Sequence, residues 1–338
     1  MHAVTGGSPA DSGYVAGGPA DGGPRRWIWG VSGVVTAILI GVPATLLIGR
    51  AGTAGGILHM GPQQQVQRTL TVPAPVNAVT VTSDGAPVRI VTGAVSKVEV
   101  TMTIGYGDRT APPPGAGFAA VNSAGLLTLS EQACGNQDAN CWVGFSVIAP
   151  RAVGVTVASS GGPVTLAGVT GASVDSGGGG VSAQQVSGPL TVTSEGGPVV
   201  ADGVTGTLNI DTGGGAVTGQ GLSSAGVTVR SEGGPATLGF ATAPRSVSIR
   251  SGGGPARLDV PGGPYALTAD SGGGPESVEI ATDPSARPSL AVSTEGGPLL
   301  IYPATASDKA SGSLRVLPGT GGPGRKLPVL LPPAPPKP

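Results

Sequence analysis

The feature that most constrains this chain is a glycine turn that returns at a near-constant interval. It reads Ser159-Ser160-Gly161-Gly162-Pro163, Ser194-Glu195-Gly196-Gly197-Pro198, Ser231-Glu232-Gly233-Gly234-Pro235, Ser251-Gly252-Gly253-Gly254-Pro255, Ser271-Gly272-Gly273-Gly274-Pro275 and Thr294-Glu295-Gly296-Gly297-Pro298. Two degenerate copies end at Gly180 and Ala216, and an isolated earlier one is Ser83-Asp84-Gly85-Ala86-Pro87. From Pro163 onward the proline sites are spaced 17, 18, 18, 19, 20, 20 and 23 residues. Such self-similarity at a fixed period is the signature of a repeat architecture.

Apolar residues keep phase with the turn. Eight and six positions before the proline site stand Val79 and Val81, Val155 and Val157, Leu190 and Val192, Leu208 and Ile210, Val227 and Val229, Val247 and Ile249, and Leu290 and Val292. One and three positions after it stand Val88 and Ile90, Val164 and Leu166, Val199 and Ala201, Ala256 and Leu258, and Leu299 and Ile301. Glu276 breaks the second rule and leaves Val278 and Ile280 to carry that strand. Alternation by two on both sides of a glycine turn predicts strand, turn, strand, with one face of each strand buried. One unit of this length cannot bury its own apolar face, and stacking units does so. The expected fold class is therefore all-β, a β-solenoid or rolled β-sheet of 17–20-residue repeats with rungs about 4.8 Å apart.

Composition agrees once the period is known. Gly 62 and Pro 33 make up more than a quarter of the chain, a load that signals either disorder or a periodic fold. The period selects the second for residues 66–302. Before the regular copies, longer strands are expected at Thr69–Val72, Val79–Thr82, Val98–Ile104, Gly125–Ser130 and Trp142–Ile148, capping or beginning the same sheet system, with Pro112–Pro114 in a loop. Residues 303–338 form a Pro/Gly-rich tail ending LPVLLPPAPPKP, of extended polyproline type or disordered. The net charge of −1 gives no basic surface for phosphate, so nucleic acid is excluded as a partner.

From Trp27 to Ile48 the chain has no charge, and as a helix this span reaches about 33 Å, enough to cross a bilayer. Trp27 and Trp29 suit the interface, and Arg25 and Arg26 outweigh Arg50, which predicts a cytoplasmic N-terminus. The expected organisation is a disordered cytoplasmic tail over 1–26, a single-pass transmembrane helix over 27–49, a linker over 50–65 and an extracytoplasmic repeat domain at the plasma membrane. A cleaved signal peptide is the alternative, and it exports the same domain.

Cys134 and Cys141 flank a polar loop whose closure by a disulfide is sterically easy; two free thiols or a metal site are the alternatives, the latter short of ligands. The histidines are His2 and His59, both outside the repeats, so a histidine-dependent triad there is excluded. Glu195, Glu232 and Glu295, with Asp84, share the position three before the proline site, and the intervening copies mostly have glycine. In a stack that alternation keeps like charges apart, and a calcium-binding column is the rival account. The glycine runs open no helix and so match no phosphate cradle. Asp175, Asp211, Asp270, Arg230 and Arg250 lie near turns without a lysine or histidine to complete an acid–base set. Leu317-Pro318-Gly319-Thr320-Gly321 matches a cell-wall sorting pattern, but the apolar span and basic end that should follow are replaced by a proline-broken segment.

The run FSVIAP at Phe145–Pro150, followed by VGVTVASSGGPVTLAGVTG at Val153–Gly171 and the later copies, resembles a bacterial putative-adhesin family, an exported domain of unknown function with β-strand repeats. The resemblance spans about residues 65–302. It implies a membrane anchor, a β-repeat domain and no established catalytic residues. The expectation is a non-catalytic envelope protein, without cofactor, that binds or adheres to a surface polymer or partner protein. Envelope-stress sensing and passive scaffolding are the alternatives.

Overall fold

The computed structural model describes residues 64–304, except 73–74, 108–109, 123, 132–133, 135–140 and 151–152. The expected tail, transmembrane span, cell-wall sorting pattern and polyproline segment lie outside those residues. Among the described residues no helix is long and apolar enough to cross a membrane.

The described chain is all-β. Its first seven strands are β1 (Gln64–Val72), β2 (Ala78–Ser83), β3 (Val88–Gly93), β4 (Val98–Tyr106), β5 (Gly117–Val121), β6 (Leu126–Glu131) and β7 (Trp142–Pro150). Regular repeats then supply β8 (Gly154–Ser159), β9 (Val164–Ala167), β10 (Gly171–Ser176), β11 (Val181–Gln184), β12 (Leu190–Ser194), β13 (Val199–Asp202), β14 (Leu208–Thr212) and β15 (Val217–Leu222). The last eight are β16 (Gly226–Ser231), β17 (Ala236–Phe240), β18 (Ser246–Ser251), β19 (Ala256–Val260), β20 (Ala266–Asp270), β21 (Glu276–Val278), β22 (Ser289–Ser293) and β23 (Leu299–Pro303).

Strands before and after each turn go to different sheets. One sheet runs β20-β22-β18-β16-β14-β12-β10-β8-β2-β6-β5, and the other β1-β4-β7-β3-β9-β11-β13-β15-β17-β19-β23-β21. Repeat strands pair in parallel without slip, Ala172 facing Val155 and Leu190, and Val181 facing Val164 and Val199. The structure is thus a two-sheet parallel β-solenoid, with one strand–turn–strand unit per rung. Residues six and eight before the proline site point inward with their partners one and three after it. Val157, Leu166, Val192, Leu208, Leu238 and Ile249 are all buried in one continuous core.

Two departures from a simple stack bracket the regular region. After β2 and β3 the chain moves outward to build β4–β7, so that the β6–β7 rung covers β2–β3, and β8–β9 then returns to the opposite side. At the far end β20–β21 passes over one rung position, and β22–β23 comes back to fill it, pairing with β18–β19 on one side and β20–β21 on the other. The outward and return paths are fastened at Tyr265. This ring is fully buried, its hydroxyl donates to the Pro261 carbonyl, its N–H donates to Ala281 O at 3.1 Å, and its carbonyl accepts from Asp283 N–H at 3.0 Å.

The irregular N-terminal strands follow the expected places, with two differences. β1 starts at Gln64 and runs antiparallel to β4, and β5, which carries no alternating pattern, forms an antiparallel hairpin with β6. At the other end β21 starts at the exposed Glu276 and ends at Val278; Ile280, expected to extend that strand, packs against the core beyond it.

Candidate binding face

The turn begins with a residue the apolar pattern leaves out. Four positions before the proline site, a serine or threonine is buried in the corner of the rung: Ser159, Ser176, Ser194, Thr212, Ser231, Ser251 and Thr294. Its hydroxyl donates across the turn to the carbonyl of the glycine before the proline site, at 2.8–3.2 Å for Ser159, Ser176, Ser194, Ser231 and Ser251. The Gly197 and Gly234 N–H groups donate back to Ser194 and Ser231 at 3.1 and 2.9 Å. The hydroxyl thereby satisfies turn groups that stacking has removed from water.

Glycine before the proline site is imposed by the neighbouring rung. A Cβ on Gly162, Gly179, Gly197, Gly215 or Gly234 would lie 2.1–2.3 Å from a backbone oxygen of the rung beneath. Ala86 occupies the same position in the copy between β2 and β3, whose outer neighbours are the strands β6 and β7.

Three positions before the proline site a two-rung alternation appears. In spatial order the residues are Ser160, Gly177, Glu195, Gly213, Glu232, Gly252, Glu295 and Gly272. A Cβ on Gly177 or Gly213 would meet the Ser160 or Glu195 carbonyl at 2.3 Å, and one on Gly252 the Glu232 carbonyl at 2.7 Å. In chain order Gly252 and Gly272 are consecutive and spoil the alternation; the exchange of the last two rungs inserts Glu295 between them. The three glutamates are therefore two rungs apart, about 10 Å, each separated from the next by a glycine.

Cys134 and Cys141 are joined in a disulfide, with 5.0 Å between their Cα atoms, and close the loop that replaces the glycine turn between β6 and β7. Beside it the Asp84 N–H donates to Glu131 Oε2 at 3.2 Å. Burial raises the Glu131 carboxyl above its ordinary value; backbone donors at Asp84 and Val143 oppose this, and the Asp84 charge adds to it. Among the described residues no group of three or more His, Cys, Asp or Glu side chains is placed to hold a metal ion.

The outward faces of the two sheets differ in chemistry. On the β8-containing sheet, the residues seven before the proline sites from Pro87 to Pro255, together with Thr128 in register with Thr80, form one column: Thr128, Thr80, Thr156, Ser173, Thr191, Asn209, Thr228 and Ser248, ended by Ala291 on β22. Eight consecutive strands thus present one hydroxyl or amide each and no charge, over about 34 Å. The parallel column five before the site contains Thr82, Ala158, Asp175, Thr193, Asp211, Arg230, Arg250 and Ser293, with Arg230 and Arg250 in adjacent register. Like charges side by side on a sheet are destabilising.

The opposite sheet is less uniform. It carries the exposed Ile148, and near the other end Arg257, which bonds Asp259 at 3.0 Å and lies 5.1 Å over the Tyr302 ring. Between them Asp202 is half-buried, and its Oδ1 accepts no hydrogen bond. Burial raises its carboxyl above the ordinary value, opposed by the Gln220 backbone.

The turn glycines and prolines singled out from sequence form one continuous corner of the solenoid, while Asp175, Asp211, Asp270, Arg230 and Arg250 fall on the polar face. The buried serine column and the hydroxyl column were both present as recurring Ser and Thr at fixed offsets. They pass unnoticed when only apolar phase is read.

No family model and no curated protein matches this chain. Solved structures that it resembles include a putative adhesin of Bacteroides fragilis, at 17% identity and TM-score 0.45, covering 70% of this chain and 97% of that one. A putative adhesin of Parabacteroides merdae is 12% identical at TM-score 0.34, with 71% and 97% covered. A putative cell adhesion protein of Clostridium sporogenes is 9% identical at TM-score 0.29, with 71% and 99% covered.

Proposed function

We propose that this chain is a non-catalytic binding protein whose outward hydroxyl face lies along a hydroxyl-rich surface polymer, with the apolar segment Trp27–Ile48 anchoring it in the plasma membrane and the solenoid outside. The observation that carries the reading is the uncharged Thr/Ser/Asn column running over eight strands. Hydroxyls and amides both donate and accept, so a regular row of them matches a polymer that repeats the same groups. A flat, rigid array also loses little side-chain freedom on binding. The adjacent Arg230 and Arg250 add a place for an anionic substituent, since an arginine fork pairs best with a carboxylate or phosphate. The catalytic alternative lacks its usual parts: the outward columns offer no histidine or lysine.

The test uses the full chain in detergent micelles against immobilised neutral glucan and a uronic-acid polymer. Thr191→Glu with Asn209→Glu should weaken binding at least about tenfold, while Thr218→Glu on the other sheet leaves it unchanged. Arg230→Glu with Arg250→Glu should reduce binding of the uronic-acid polymer alone. Binding to neither polymer, or equal loss from both faces, sinks the reading. Anchoring is checked by protease accessibility in intact cells, where cleavage within 64–304 from outside is expected.

A further inference from the structure

Near the start of the solenoid the outward face of the β1-containing sheet carries an indole. Trp142 opens β7, whose inward positions are the buried Val143, Phe145 and Val147, so its ring lies on the outer side. Its register partner on β4 is Gly105, and the next outward residue of β7 is Gly144. A Cβ on Gly105 would lie 2.2, 2.3 and 2.8 Å from Trp142 Nε1, Cε2 and Cζ2, a set of distances met over the ring face and not at its rim. One on Gly144 would lie 3.4 Å from Cζ3. The indole therefore lies flat across two glycines that are themselves buried, while Trp142 stays partly exposed. Covering bare β4 backbone accounts for its inner face. The exposure belongs to the outer face and the rim.

We infer that Trp142 is the stacking platform of a binding site for two consecutive hexopyranose rings of a neutral glycan. Its surroundings have the chemistry for that ligand. Successive outward register rows of β1, β4 and β7 read Gln65-Gly105-Trp142, Gln67-Thr103-Gly144 and Thr69-Thr101-Ser146. Gln65, Gln67 and Thr69 are exposed, Thr101, Thr103 and Ser146 partly so, and the Thr69 and Thr101 hydroxyls lie 3.3 Å apart. Three strands by three alternate rows make a flat patch of about 10 Å by 14 Å, which accommodates two sugar rings. Within those rows no side chain is charged; Arg89 beside Ser146 and Glu99 beside Ile148 border them in register. Axial C–H groups make one face of a pyranose apolar and slightly positive, and the face of an indole is negative, so the two stack. Hydroxyls around the rim of the sugar then meet amides and hydroxyls that both donate and accept. A ring already seated on backbone loses little freedom on binding. This site lies on the sheet opposite the hydroxyl column and stands independently of it.

The test follows tryptophan emission of the full chain in detergent micelles, carrying Trp27→Phe and Trp29→Phe so that Trp142 is the sole tryptophan. Neutral tetrasaccharides of glucose, mannose and N-acetylglucosamine are the probes. At least one should shift the emission saturably. Read by saturation-transfer NMR, Trp142→Leu should weaken that binding at least about tenfold and Trp142→Tyr only a few-fold, with the far-ultraviolet circular dichroism spectrum unchanged. Gln67→Ala with Thr103→Ala, which leaves the indole in place, should also weaken it. Thr191→Glu with Asn209→Glu on the opposite sheet should not, so the two sites fail separately. The inference is overturned if no tetrasaccharide saturates the signal below about 10 mM. Unchanged affinity in Trp142→Leu overturns it too, as does unchanged affinity in the Gln67 and Thr103 variant should Trp142→Leu fail to fold.

Discussion

Gly196 and Gly197 are adjacent in sequence and opposite in what surrounds them. A Cβ on Gly196 meets nothing within 4 Å, while one on Gly197 would lie 2.2 Å from the Gly179 carbonyl. Gly197→Ala should therefore cost about 3 kcal/mol or more by forcing two rungs apart, and Gly196→Ala should stay within about 0.5 kcal/mol, as urea melts will show. Ser194→Ala removes a buried hydroxyl bonded both ways across its turn, and should cost about 1–3 kcal/mol in the same measurement. Asp202 sets a pH dependence. Its folded carboxyl titrates above the ordinary 3.8, so between the two values the folded chain holds more protons than the unfolded one. Stability then falls as pH rises through that window. Asp202→Asn should melt about 2 °C higher than wild type at neutral pH, a modest gain because the group is half in water, and the difference should vanish below pH 3.8.

At the scale of elements, the chain order of the last three rungs differs from their spatial order. Ser248 on β18 is in register with Ala291 on β22, and Thr268 on β20 lies one strand further out. Parallel neighbours at that spacing suit a disulfide. A Ser248→Cys, Ala291→Cys pair should therefore close under mild oxidation, seen as a mobility shift on non-reducing gels, and Ser248→Cys with Thr268→Cys should not. The exchange was written in the sequence as the run of Gly252 and Gly272 without an intervening glutamate, together with the widening of the period from 20 to 23 residues. Those signs become interpretable only when a Cβ at Gly252 is seen to meet the Glu232 backbone. The alternation is steric before it is electrostatic.

At the scale of the molecule, each rung is held by its neighbours, so stability should grade along the axis. Leu208 is fully buried between two complete rungs, and Leu208→Ala should cost about 2–5 kcal/mol. Leu267 in the outermost rung is partly exposed, and Leu267→Ala should cost less than half as much, as thermal melts monitored by far-ultraviolet circular dichroism will show. The core was legible beforehand because period-two alternation marks each inward residue on both sides of the turn. Less legible was the binding face, since outward Thr and Ser at a single position look like ordinary solvated strand residues until register aligns eight of them.

The sequence by itself determined the strand–turn–strand unit, its period, its inward residues and the placing of both cysteines on one loop, because all of these depend on contacts within about twenty residues. Tertiary structure decided which rung lies against which, and so which outward residues share a column. Adjacent rungs are joined by interchangeable backbone hydrogen bonds and similar apolar faces, so nothing local ranks one stacking order above another. The choice falls to the close approach of glycine turns and to the buried Tyr265 at the crossing, contacts that exist only once the rungs have met.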